Sequence, residues 1–239
     1  AKNRNYAEAI ETCETAMNAI EKPDTKLTFR EELHQQRWDD HRYYHQSRIN
    51  QSLHLLSASC FLMCYMLLFV DPGLAVIIGW VVAMWARQIG HFFFEPKTYD
   101  NINRATHEHK EDIKVGYNLQ RKRVLQSLWA IAPLALWINP TFFGLFQGHA
   151  NLDQYLENLA LVWIGLAVGA LLFRTVQLFF IANVQTGLVW ATKIITDPFN
   201  DFRTYLKAPL YLLRGERLDP MYHVQHELED DEQEPRPAV

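Results

Sequence analysis

The sequence predicts an all-α integral membrane protein: a four-helix bundle with both termini cytoplasmic, a helical amino-terminal extension and an interfacial carboxy-terminal helix. Three observations carry that expectation. The 239-residue chain holds four long apolar stretches between polar ends. Each approaches the roughly 20 residues that a helix needs to cross a bilayer. Outside the stretches themselves, Lys and Arg fall only on alternate sides, as the positive-inside rule requires.

The amino-terminal region, 1–52, is polar and contains no apolar run of the signal-peptide kind, so no such peptide is expected. Ala7 to Ala19 is rich in Ala and Glu, and Arg30 to Tyr44 is charged; both read as helices. The membrane domain is expected over 53–184. Its first span runs from about Leu53 to Val70 without a charge, and Asp71-Pro72-Gly73 marks a sharp turn. The second runs from Leu74 to Phe94, so the first two form a hairpin with almost no loop. The third starts near Val124 and reaches Trp137 or Phe146, interrupted by Pro133 and Pro140. The fourth, Leu159 to Val184, carries Arg174, a charge that calls for a partner.

Eight Lys or Arg precede the first span, seven lie in the loop 95–123, and six follow the fourth span, whereas 71–73 and 147–157 hold none. That distribution sets the orientation. Beyond the fourth span, Leu188 to Ile195 is expected to continue its helix. In the segment 185–226, Phe199, Phe202, Tyr205, Leu206, Leu210 and Leu213 recur among basic residues, the pattern of a helix lying in the membrane interface. The tail 227–239 is acidic and reads as disordered.

Composition closes off some functions. A net charge of −4 and the acidic tail argue against nucleic-acid binding. Cys13, Cys60 and Cys64 have no framework spacing; the latter two sit in an apolar run as small hydrophobes. The tryptophans read as interfacial or packing residues.

Ionisable residues at the end of a span are costly and therefore point to function. Arg87, His91 and Glu95 are spaced by four, on one helical face that should turn inward. Six of the ten histidines, His41, His45, His54, His91, His107 and His109, fall at or near the cytoplasmic surface of this topology. His54 opens the first span and His91 closes the second, so the hairpin makes them neighbours. His45 lies on the far side of an unbroken helix from His54, and converges with it only if the chain bends. Ser47, Asn50 and Ser52 are suitable caps for such a break. His41 and His45 share a face, while His107 and His109 are either further ligands or a solvated loop pair. His34 and His149 read as surface residues, and His223 and His226 as non-ligands beside the tail. Glu95 can ligate a metal or fix the tautomer of a ligating histidine, and Arg87 can pair with Glu95 or with an anionic substrate.

Two segments carry a family likeness. Tyr44-His45-Gln46-Ser47-Arg48-Ile49-Asn50-Gln51-Ser52-Leu53-His54 precedes the hairpin, and Gln88-Ile89-Gly90-His91-Phe92-Phe93-Phe94-Glu95 closes it. The pattern resembles the membrane 2-hydroxy fatty acid dioxygenase family over about Tyr43 to Glu95. The resemblance implies an Fe(II)-dependent enzyme of fatty acid α-oxidation that uses O2 to turn a 2-hydroxy fatty acid into the acid one carbon shorter. It places His45, His54 and His91 on the family's histidines; His41, His107 and His109 stand beside them as further candidate ligands, and Arg87 and Glu95 as candidate catalytic residues, by their own position and spacing. Lys97, Arg87 and Arg104 are candidates to meet the substrate carboxylate. Localisation would be a bacterial inner membrane or an ER-like eukaryotic membrane, with the site on the cytoplasmic side.

Two other functions fit parts of the pattern. His41-x-x-x-His45 is similar to a first histidine box of di-iron hydroxylases, but no His-His pair occurs. Alternatively, the chain is a non-catalytic accessory subunit that docks a membrane complex through its polar ends. His54 and His91 would then bind haem or another pigment, or nothing.

Overall fold

The computed structural model describes residues 27–221. They are helical throughout, with isolated bridges in place of strands. The helix expected at Ala7 to Ala19, the acidic tail, Cys13, His223 and His226 lie outside the described residues.

Helix α1, Phe29–Tyr44, opens with a reciprocal cap: Thr28 accepts from the backbone of Glu31, and the Glu31 carboxylate accepts from the backbone of Thr28. It ends at His45, and α2, Arg48–Leu67, starts again after Ser47, whose hydroxyl caps it by accepting from Asn50 N. The break expected between His45 and His54 is therefore present, with Ser47 as the cap. An outside strand of backbone fills the gap, for Arg48 N donates to Arg217 O at 2.9 Å and Asp219 N to Gln46 O at 2.7 Å.

The turn after α2 is capped by Asp71, and Pro72 occupies the first turn of α3, Pro72–Phe94. This helix contains two wide, π-helical turns, Ile78–Met84 and Gly90–Phe94. Such turns cost hydrogen-bond quality and mark functional positions; the second one carries His91. A small two-sided turn, Asp100 paired with Ala105, leads to the short helix α4, His107–Asp112. Helix α5, Leu119–Ile138, runs straight through Pro133 and stops before Pro140. The third span therefore ends at the second proline, not the first.

Helix α6 spans Leu152–Ile181 and α7 Val184–Tyr205. The expectation that Leu188 to Ile195 prolongs the fourth span is not met. The chain breaks at Ala182, and Asn183 starts a new helix by accepting from Thr186 N at 2.9 Å. A last short helix, α8, covers Ala208–Leu213. The expected interfacial segment is thus two helices, and α7 is not free: it packs against α1, α2 and α6.

Two helices, Pro72–Phe94 and Leu152–Ile181, are long and apolar enough to cross a membrane. The apolar core lies between α3, α5 and α6, where Trp80 meets Trp129 at 4.1 Å and Trp163 at 5.5 Å between ring centroids. Trp163 Nε1 donates to Trp129 O at 3.1 Å, which satisfies its one donor inside that core. Cys60 and Cys64 are buried and free. Arg174 finds its partners on the chain between α4 and α5, donating to Val115 O and Gly116 O.

Candidate metal centre

His45, His54 and His91 come from three places in the fold: the break after α1, the first turns of α2 and the second π-helical turn of α3. One ligand atom from each lies within 4.8 Å of the other two. Ring centroids are 4.0 Å apart for His45 and His54, 4.9 Å for His54 and His91, and 5.4 Å for His45 and His91. All three are buried, His54 to 1% exposure.

The close approach depends on Gly90. A Cβ there would run into Asn50 Oδ1. Asn50 is fully buried and donates through Nδ2 to Tyr44 O at 2.8 Å, so it cannot swing away cheaply. Asn50 thus ties the end of α1 to α2 while Gly90 lets α3 close onto both. Those two residues explain why Asn and Gly accompany the histidines in the motif.

Neighbouring groups fix which nitrogens point inward. Tyr205 Oη lies 2.8 Å from His45 Nδ1, and Glu95 Oε2 lies 2.7 Å from His91 Nδ1. Donation from His91 Nδ1 to the Glu95 carboxylate leaves a lone pair on its Nε2, the Tyr205 hydroxyl orients the His45 ring, and such partners are what orient metal-binding histidines. His45 Nε2 and both nitrogens of His54 are buried with no hydrogen-bond partner. Buried polar atoms are nearly always satisfied. Convergent imidazole nitrogens left without partners are a donor set suited to a first-row transition metal such as iron, so these residues fit the ion that the motif implies. Burial, followed by the nearby His54 and Arg87, holds His45 well below the usual imidazole range, which keeps it neutral for ligation.

A second layer comes from α7. Lys193, Asp197, Asp201 and Tyr205 are spaced by four along it, and all are buried. Asp201 Oδ2 sits 3.6 Å from His54 Nδ1 and pairs with Arg87. Burial opposes the Asp201 charge, but Arg87 and then His54 hold its carboxyl below the ordinary range. Burial, reinforced by Asp201, pushes the Tyr205 phenol well above its ordinary value, so it stays protonated. Lys193 bridges Asp40 of α1 and Asp197 of α7, the latter at 2.7 Å. This stripe is the part of the site that sequence reasoning missed. Its signal was the four-residue spacing of Lys193, Asp197, Asp201 and Tyr205, hidden behind the apolar residues that alternate with them.

The remaining candidates take other places. Arg87 pairs with Asp201 rather than with Glu95. Glu95 instead faces His91, with Lys114 at 3.6 Å on its other oxygen. His41 does not join the three ligand atoms; its Nδ1 lies 3.3 Å from Tyr205 Oη, behind His45. His107 and His109 begin α4, where a spacing of two turns their side chains apart, and neither joins the cluster among the described residues. Lys97 is exposed and donates to Phe92 O at 2.8 Å. His34 is exposed, as expected, whereas His149 is partly buried against the Tyr155 ring.

A cavity of about 890 Å³ opens from the three histidines. Its polar lining includes Arg87, Lys122, Asp201 and Tyr205, and its apolar lining includes Phe61, Leu68, Trp80, Leu125, Trp129 and Leu171. His54 on α2 and Leu68, the residue that caps its end, are 14 residues apart, which at ~1.5 Å per residue makes the cavity's wall about 20 Å long.

Residues 32–101 match a family model described as 2-hydroxy-palmitic acid dioxygenase Mpo1-like. The match supports the resemblance carried by the two motifs. No curated protein and no solved structure matches the chain. The Mpo1-like stretch takes in most of α1 and all of α2 and α3, hence all three histidines, Asn50, Gly90 and Glu95. The α7 stripe and the α5 wall of the cavity lie outside it.

Proposed function

We propose that this protein is a membrane dioxygenase that binds Fe(II) through His45, His54 and His91 and cleaves long-chain 2-hydroxy acids with O2 to the acid one carbon shorter, releasing C1 as CO2 with one water. The observation that carries the reading is the join of three convergent buried imidazoles, two of them with ring nitrogens that lack a hydrogen-bond partner, to a long apolar cavity. The iron would supply open coordination positions that bring the hydroxy acid and O2 together and polarise the acid. The chain's own residues do the rest. Glu95 holds His91 in the ligating tautomer, Tyr205 orients His45, Asp201 stands beside His54, and Arg87 balances the charge of Asp201. The apolar wall receives the alkyl chain, excludes water and aligns the C1–C2 end with the histidines.

A bilayer setting suits this chemistry, because the alkyl chain can enter from the lipid. We read α2, α3, α5 and α6 as four spans, with both termini and the histidines on the cytoplasmic side. Support comes from the charge alternation and from exposed apolar side chains too numerous for a water-facing surface. Phe69, Phe143 and Phe180 are more than 80% exposed, as are Val70 and Leu213.

Haem binding by an accessory subunit fits less well. The three rings crowd one point, with His45 against both His54 and His91, instead of facing each other across a plane. The test is metal content with the visible spectrum of the purified protein. About one iron per chain, lost in His91→Ala, with no Soret band is the expected result. A Soret band, or no retained metal at all, would reject the reading.

A further inference from the structure

We infer that Lys122 and Gln126, one helical turn apart on α5, form the carboxylate-binding subsite of the cavity. Lys122, Leu125, Gln126 and Trp129 follow the i, i+3, i+4, i+7 spacing of one helical face, and all four line the cavity that holds the histidines. Leu125 and Trp129 belong to its apolar wall, so Lys122 and Gln126 lie where polar and apolar linings meet.

The cations around the histidines are otherwise engaged. Arg87 is paired with Asp201, Lys114 with Glu95 and Glu111, and Lys193 with Asp40 and Asp197. Arg30 also lines the cavity but is exposed at the start of α1. Lys122 is partly buried, and among the described residues its ammonium has no hydrogen bond or ion pair within contact distance. Gln126 Nε2 is buried and likewise without an acceptor. A buried amide donor with no partner carries a desolvation penalty that a bound acceptor removes. An ammonium and an amide N–H facing one space are matched by a carboxylate, which accepts through both oxygens. With the carboxylate of a 2-hydroxy acid held by Lys122 and Gln126, its C1–C2 end would lie toward the histidines that would hold the iron. The subsite therefore selects free acids over esters, amides and alcohols of the same chain length. In that role it stands in place of Lys97, Arg87 and Arg104, the candidates offered by the sequence.

The inference rests on the proposed reaction only for the identity of the acid, and binding can be measured without turnover. Purified protein in detergent micelles, with chelator present, is titrated with 2-hydroxypalmitic acid and with its methyl ester. The wild type should prefer the acid. Lys122→Gln should weaken acid binding roughly 10- to 100-fold and leave ester binding within about twofold, with Lys122→Arg restoring most of the preference. Gln126→Leu should shift the acid in the same direction by less. Equal loss for acid and ester in Lys122→Gln, or no loss for either, would overturn the subsite. Acid-selective binding without O2-dependent cleavage would instead reject the reaction and leave the subsite standing.

Discussion

His91 owes its position to residues outside the three-histidine cluster. Glu95 holds its Nδ1 at 2.7 Å, and Gly90 lets it approach α2 because Asn50 occupies the space a side chain would take. Two outcomes follow at this scale. Glu95→Gln keeps the shape but no longer requires a proton on Nδ1, so iron affinity measured by competition with a chelator should fall about 10- to 100-fold. Gly90→Ala should lower thermal stability by about 1–3 kcal/mol, the usual cost of overpacking, with loss of bound iron. Gly169→Ala on α6, where a Cβ meets nothing within 4 Å, should be neutral in the same measurement. Equal effects of the two glycine substitutions would show that the contact with Asn50 is not what positions His91.

Between helices, α7 acts as the brace that closes the site. Lys193 joins Asp40 of α1 to Asp197 of α7, and Asp201 and Tyr205 reach the histidines from the same face. Lys193→Met leaves the buried Asp197 without its nearest cation and should cost about 3 kcal/mol of stability. Burial works against the Lys193 charge, but Asp197 and Asp40 more than compensate and hold it above the ordinary lysine range. A raised folded-state value stabilises the fold fully below the unfolded lysine value of about 10.4 and is lost as pH rises through the folded one. The Tm gap between wild type and Lys193→Met should therefore persist from neutral pH to about pH 10 and narrow above it. The contrast with the hairpin explains what could be read from sequence. His54 and His91 were legible because a tight turn forces the two ends of a hairpin to one level, and Ser47 was legible as the cap of the break that His45 needs. Lys193, Asp197 and Asp201 were not, because a charged stripe reads as a solvated face until packing shows that it is buried. His107 and His109 could be either ligands or a solvated pair as far as residue type goes; a helix start capped by Thr106 turns them apart, away from the three-histidine cluster among the described residues.

At the scale of the whole molecule, the polar chemistry gathers at one end of the helices and the alkyl-sized cavity runs along them. Four spans would put 71–73 and 147–157 on one side of the membrane and the loop around Lys97 on the other. Single cysteines at Pro72, Gly148 and Lys97, introduced into a chain without native cysteines, test this with an impermeant thiol reagent. Pro72→Cys and Gly148→Cys should react only from the non-cytoplasmic side and Lys97→Cys only from the cytoplasmic side. Labelling of all three from one side would contradict the arrangement. The central claim is the reaction itself, and mass-spectrometric analysis of 2-hydroxypalmitic acid incubated with O2 and Fe(II)-loaded protein tests it most directly. Conversion to pentadecanoic acid with matching O2 uptake, abolished in His91→Ala, is the predicted result; intact substrate with iron fully bound would contradict it.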